Sequence, residues 1–131
     1  MTTLRQEAME AYERRQRERK LREIEARQEM CAAAVAMAGR SFGRVPERVA
    51  WDDTLGCPVV SYDGGDVRLA WKWDDGVRVF LVVFECERCG GPLPAWPEVR
   101  DLAELGSRLA DGCIGECYEG HYCVKREEEA A

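Results

Sequence analysis

The sequence predicts an α+β protein with a long N-terminal helix, a small antiparallel β meander that carries a four-cysteine metal site, and a short second helix. Three observations lead to this fold class. Residues 3–38 contain neither Gly nor Pro, the apolar pattern then changes from helical spacing to alternation, and two close cysteine pairs flank a second helical segment. At 131 residues the chain has room for one domain and an appendage, which excludes a multidomain enzyme.

The composition is that of a folded domain, with 46% hydrophobic and 34% charged residues. No apolar run approaches the roughly 20 residues of a membrane helix. The first residues lack a signal pattern, so we expect a cytoplasmic protein. Sixteen Arg against three Lys indicate a high-GC bacterial genome or one of its phages as the source. For a bacteriophage protein the expected location is the host cytoplasm, and the virion is the alternative location.

Residues 1–40 form the first predicted unit, a long helix built from strong helix formers. Its second half carries a seam of residues at alternating three and four spacing, as in a coiled coil. We expect this seam to bind a protein partner or a second copy, giving an oligomer. Residues 13–20 contain no apolar side chain, so a coiled coil would have no core there. The predicted boundary lies at residues 39–47. The seam residues are Leu21, Ile24, Gln28, Cys31 and Val35.

A basic segment, residues 14–22, lies in the middle of this helix. Residues 1–29 carry eight basic and seven acidic side chains, a net charge of +1, which leaves −7 for the rest of the chain. Nucleic-acid binding through this segment is the alternative function. A solvated helix with Glu to Arg pairs four residues apart explains the same pattern, and the overall acidity argues against phosphate binding. The cations are Arg14, Arg15, Arg17, Arg19, Lys20 and Arg22.

Four short runs with a period of two predict the antiparallel meander, at residues 48–51, 58–62, 67–73 and 77–85. Trp71 and Trp73 alternate with Lys72, which predicts that both tryptophans belong to the core. The last run is apolar on both faces, which predicts a central or doubly covered strand. Its odd positions, from Val77 to Val83, are expected to continue the face of Leu69 and Trp71.

The turn between the last two runs, Asp74-Asp75-Gly76, allows a loop of two or three residues. A three-residue loop pairs Trp73 with Val77 and keeps apolar residues opposite apolar residues. A two-residue loop pairs Trp73 with Arg78. The pattern therefore favours three residues, with Gly76 in the left-handed region.

A second helix is predicted after Asp101, where Glu104 three residues on completes a capping box and Gly112 supplies a stop. Residues 41–124 form the predicted β domain, and residues 125–131 form a charged tail.

The cysteines indicate a metal site, because an odd number, seven, without a secretion signal fits a disulfide framework poorly. Cys86 and Cys89 follow a strand, and Cys113 and Cys117 follow the second helix. Both spacings suit a tetrahedral structural zinc site, and we expect these four thiolates to bind Zn²⁺ and to stabilise the domain.

Several alternatives stay open at this stage. His121 or Cys123 can replace one member of the second cysteine pair, and iron can replace zinc. Cys86 and Cys89 can also act as a redox dithiol. Cys31 and Cys57 are expected to be ordinary packed side chains.

The strand-end cysteine pair followed by Gly90-Gly91, the short helix and the second pair resemble small zinc-ribbon or zinc-knuckle accessory proteins of actinobacteria and their phages. The resemblance covers about residues 57–117 and implies metal binding and an accessory role. A four-thiolate zinc leaves no open position for a substrate, and a single histidine removes most His-based catalysis. We therefore expect a non-enzymatic interaction or structural module.

Overall fold

The structure of the protein, a computed structural model, describes residues 1–85 and 90–111. It confirms the α+β class, with a long N-terminal helix, an antiparallel sheet and a short second helix. The elements are α1 (Leu4–Phe42), β1 (Arg48–Asp52), β2 (Cys57–Tyr62), β3 (Val67–Asp74), β4 (Val77–Glu85), β5 (Pro92–Val99) and α2 (Leu102–Asp111).

Helix α1 continues through Gly39 to Phe42, two residues past the predicted unit 1–40 and within the predicted boundary at residues 39–47. Thr3 accepts a hydrogen bond from the backbone N–H of Gln6, and the Gln6 side chain accepts one from the N–H of Thr3, which forms a capping box at the start. The helix ends at Gly43, whose φ of 70° is in the left-handed region. A glycine inside a helix costs about 1 kcal/mol relative to alanine, and the packing of the last turn on the sheet outweighs that cost.

The sheet is a meander of five antiparallel strands in the order β1-β2-β3-β4-β5. The four predicted strands are confirmed, and β4 lies between β3 and β5 as its two apolar faces indicated. The fifth strand was not predicted, because Pro92, Pro94 and Pro97 argue against a strand. Proline is tolerated on an edge strand, where backbone N–H groups need no partner in the sheet, and β5 is such an edge.

The main core lies between one face of the sheet and the two helices. Ala34, Ala38 and Phe42 of α1 are buried there, and the rings of Phe42 and Phe80 meet edge to face with centroids 5.3 Å apart. Leu105 brings α2 into the same cluster. The other buried members of this core come from the strands and are Val60, Tyr62, Leu69, Trp71, Phe80, Val82 and Val99.

The hairpin between β3 and β4 corrects the predicted register. Trp73 pairs with Arg78, and Asp74 pairs with Val77, so the loop has two residues. Asp75 and Gly76 have φ values of 46° and 79°, and two successive positive φ values are the requirement of the tight hairpin turn that Asp-Gly favours. The faces change accordingly, because Leu69 and Trp71 share the core with the even-numbered Phe80 and Val82 of β4.

We expect Phe42→Ala to lower the free energy of unfolding by about 3–5 kcal/mol, because it removes a buried ring that joins α1 to the sheet. Leu21→Ala is the matched control, since Leu21 lies on the same helix and is 59% exposed. Urea unfolding of both variants measures the difference. Equal stabilities would show that α1 does not belong to the core.

Candidate functional site

Helix α1 consists of a projecting part and a packed part. Residues 1–29 are all exposed except the half-buried Gln16, whereas residues 30–42 include every buried residue of the helix. At 1.5 Å per residue, the stretch from Leu4 to Arg27 measures about 35 Å. The helix therefore extends well beyond the part that the sheet covers.

The structure distributes the predicted seam over both parts. Leu21 and Ile24 are 59% and 51% exposed, and Gln28 is exposed as well. Cys31 and Val35 are half-buried, and Val35 packs against the main core. The protein's own core thus partly buries the C-terminal end of the seam, at Cys31 and Val35. Leu21 and Ile24, at its N-terminal end, stay exposed among the described residues.

Arg27 marks the point at which α1 leaves the sheet. Its guanidinium lies 3.7 Å from a carboxylate oxygen of Asp53 and 5.0 Å from the ring centroid of Trp51. Both partners belong to β1 or to the turn after it. Sequence reasoning missed this contact, because nothing in the helical pattern distinguishes Arg27 from the other arginines.

The six cations of the basic segment are all exposed. Within the described ranges the ion pairs join Arg27 to Asp53, Arg44 to Asp63, Arg68 to Glu85 and Arg100 to Glu98. None of them involves residues 14–22, so the expected Glu to Arg pairs along the helix do not come within 4 Å. The charges of this segment face water.

A stacked cation lies at the β3–β4 hairpin. The Arg78 guanidinium is 4.5 Å from the ring centroid of Trp71 and 4.7 Å from that of Trp73, and it donates a hydrogen bond to the Trp71 carbonyl at 3.4 Å. The core prediction is confirmed for Trp71, which is 6% exposed, and wrong for Trp73, which is 63% exposed. The reason is the two-residue loop, which brings Arg78 rather than an apolar residue opposite Trp73.

Two surface cavities lie beside described elements of the sheet and of α2. One of about 340 Å³ lies beside the hairpin and is lined by Ser41, Arg78, Glu98 and Arg100 among others. Arg100 donates a 2.6 Å hydrogen bond to Glu98, which lowers the pKa of the Glu98 carboxyl. Another of about 290 Å³ is mainly apolar and lies between Phe42, Tyr62 and α2.

The predicted metal ligands Cys86, Cys89, Cys113 and Cys117 lie outside the described residues, as do the alternatives His121 and Cys123. The part of the chain that the structure describes contains no group of three or more His, Cys, Asp or Glu residues arranged to hold a metal ion.

The described elements next to the predicted cysteine pairs are β4, β5 and α2. Strand β4 ends one residue before Cys86, and β5 begins shortly after Cys89. Helix α2 begins close to the end of β5, and its Arg108 donates a hydrogen bond to the carbonyl of Trp96 at 3.2 Å. Helix α2 therefore runs back along β5 toward the start of that strand, and its last residue lies two before Cys113.

The two described cysteines behave as predicted. Cys57 is buried and Cys31 is half-buried, and neither forms a disulfide. Burial raises the pKa of both thiols above the ordinary value, so both favour the neutral, unreactive form.

Comparison with protein families, with characterised proteins and with solved structures finds no match for this chain. Within the described ranges, neither helix combines the length and the apolar character that crossing a membrane requires.

The raised pKa of Cys57 predicts that the free energy of unfolding depends on pH. The folded state holds the thiol neutral, so its contribution to stability is complete below the pKa of the unfolded thiol, about 8.5, and is lost as the pH rises through the higher folded value. We expect Cys57→Ala to lose less stability than the wild type between neutral and alkaline pH. Urea unfolding along a pH series measures this, and parallel curves for the two proteins would contradict it.

Proposed function

We propose that the protein is a non-enzymatic interaction module, in which a small β domain holds a long helix and the projecting part of that helix docks on another protein surface. The observation that carries the proposal is the exposure of Leu21 and Ile24 on a helix whose other end is part of the core. Full burial of a Leu or Ile side chain contributes about 1.5–3 kcal/mol, and about half of each of these side chains is still available.

The rigidity of the attachment supports this function. The last turns of α1 are fixed by Ala34, Ala38 and Phe42, and Arg27 adds a contact with β1 at the exit point. A helix held in this way presents its seam in one direction. Little conformational entropy is then lost on binding.

We propose in addition that Cys86, Cys89, Cys113 and Cys117 bind one structural Zn²⁺. Support comes from the direction of the described elements. Helix α2 runs back along β5 toward the start of that strand, and β4, which is antiparallel to β5, ends at the same end of the sheet. When bound, zinc would tie the end of α2 to the β4–β5 connection. Such a cross-link adds stability that a core of this size lacks.

Replacing Cys86 and Cys113 with Ser should abolish stoichiometric zinc and lower the melting temperature, because a structural zinc supplies several kcal/mol of folding energy. Cys31→Ser is the matched control and should keep the metal. Native mass spectrometry measures zinc per chain together with oligomeric state. A wild-type protein without bound metal, or one whose melting curve does not move after chelation, would contradict the proposal.

Changing Leu21 and Ile24 to Asp should dissociate the assembly that the helix forms, since each change replaces an apolar contact with a charge. The variant should keep its sheet, because both residues are exposed in the single chain. Size-exclusion chromatography of the tagged protein from its own cell extract measures the assembly. Met9→Asp, another exposed apolar position of α1, is the control. A wild-type protein that elutes as a free monomer in the extract would refute the interaction function.

Nucleic-acid binding by residues 14–22 is the second candidate. The observation in its favour is that all six cations are exposed and outside the described ion pairs. The segment also ends five residues before Arg27, about 8 Å along the helix. The Debye length at physiological ionic strength is also about 8 Å, so the acidic domain repels a bound phosphate backbone only weakly over much of the segment.

If the segment binds nucleic acid, the affinity should fall steeply with salt concentration. The combined substitutions Arg14→Glu, Arg15→Glu, Arg17→Glu and Arg19→Glu should abolish the binding. A fluorescence-anisotropy titration of duplex DNA and of RNA over a salt series measures both effects. The control is Arg40→Glu, an exposed cation in the packed part of the same helix. Absence of binding at low salt would eliminate this candidate.

A further inference from the structure

The two edges of the sheet differ in how they are protected. Edge strand β5 contains Pro92, Pro94 and Pro97 and has an irregular register with β4, features that prevent further strand pairing. Edge strand β1, Arg48-Val-Ala-Trp-Asp52, contains no proline or glycine and pairs only with β2 among the described strands. An edge strand leaves alternate N–H and C=O groups free on its outer side. Strand β1 is thus the open edge.

We propose that β1 pairs antiparallel with β1 of a second copy, so that the two sheets join into one. This inference rests on the proposed interaction function, because it identifies the partner. Two identical strands related by a two-fold axis present the same surface to each other. The strand must therefore be complementary to its own reversed sequence.

The sequence of β1 meets that condition when the axis passes through Ala50. Arg48 then lies opposite Asp52 of the partner subunit, and Asp52 lies opposite the partner's Arg48, so each end of the strand gains an opposite-charge pair. Val49 lies opposite the partner's Trp51, an aliphatic residue against an aromatic one. Opposite-charge pairs and aromatic–aliphatic pairs placed directly across two antiparallel strands both stabilise the pairing of the strands.

Charge complementarity also selects this register. An axis through Val49 or Trp51 keeps each side chain on its own face but removes both Arg48–Asp52 pairs. The axis through Val49 places Arg48 opposite the small Ala50 of the other copy, and the axis through Trp51 places Asp52 there. Centring on Ala50 is the one of these three registers that satisfies both charges and both apolar residues.

The exposure of the strand is compatible with this contact. Arg48 and Ala50 are exposed, and Val49, Trp51 and Asp52 are half-buried. Arg27 of α1 lies against Trp51 and Asp53, so the projecting part of α1 leaves the domain beside this strand. A second copy at this edge would lie next to the point from which Leu21 and Ile24 project.

Ala50 offers a sharp test, because in this dimer it faces its own counterpart. We expect Ala50→Lys and Ala50→Glu each to weaken the dimer about fivefold through repulsion of like charges, and an equimolar mixture of the two to form a heterodimer. Ala33→Lys, an exposed helix position, is the control and should leave the dimer unchanged. Sedimentation velocity on the purified full chain gives the dissociation constants. Native mass spectrometry with a mass tag on one variant identifies the heterodimer.

A purified wild-type protein that is monomeric at all concentrations would overturn the inference. So would a dimer that neither Ala50 variant weakens, or an equimolar mixture of the two variants that does not form a heterodimer. These results differ from failure of the proposed function. An assembly that is sensitive to Leu21→Asp with Ile24→Asp but not to Ala50 changes leaves the helix as the docking surface and refutes β1 pairing. An assembly sensitive only to the Ala50 changes refutes the helix and supports β1.

Discussion

The C-terminal turns of α1 lie on one face of the sheet, where Ala34 and Ala38 allow close approach and the Phe42 ring meets Phe80. This contact fixes where the helix can be buried and where it cannot. The sheet covers residues 30–42, and the remaining residues of the helix extend into water. The exposed seam, the basic segment and the position of Arg27 against β1 all follow from this limit.

Burial also explains why local rules fail at particular positions. Glycine is a residue at which helices often end, yet α1 continues through Gly39, because Phe42 beyond it is buried in the core. Arg78 opposite Trp73 violates apolar pairing, yet its guanidinium stacks on Trp71 and Trp73 and keeps its charge near water. Cation–π contact of this kind contributes about 0.5–2 kcal/mol, enough to make the charged residue acceptable there.

The candidate functional surfaces lie outside the core and use different chemistry. The seam is apolar, the basic segment is charged, and the outer edge of β1 offers backbone hydrogen bonds flanked by Arg48 and Asp52. The exposed seam residues Leu21 and Ile24 lie just beyond Arg27, whose side chain contacts Trp51 of β1. The proposed zinc ligands follow β4 and α2 and would stabilise the domain without taking part in partner contact.

Local sequence patterns determined the long helix α1, the four alternating strands and the capped helix α2, because caps and periodicity act within a few residues. They also determined the cysteine pairs and the seam as candidate sites. Only the tertiary structure decided that β5 is a strand, since an edge makes its prolines acceptable, and that Asp75-Gly76 form a two-residue turn. It also divided the seam, leaving Leu21 and Ile24 exposed while Val35 is packed. These outcomes depend on which surfaces meet across the sheet, and residues far apart in the sequence supply those surfaces.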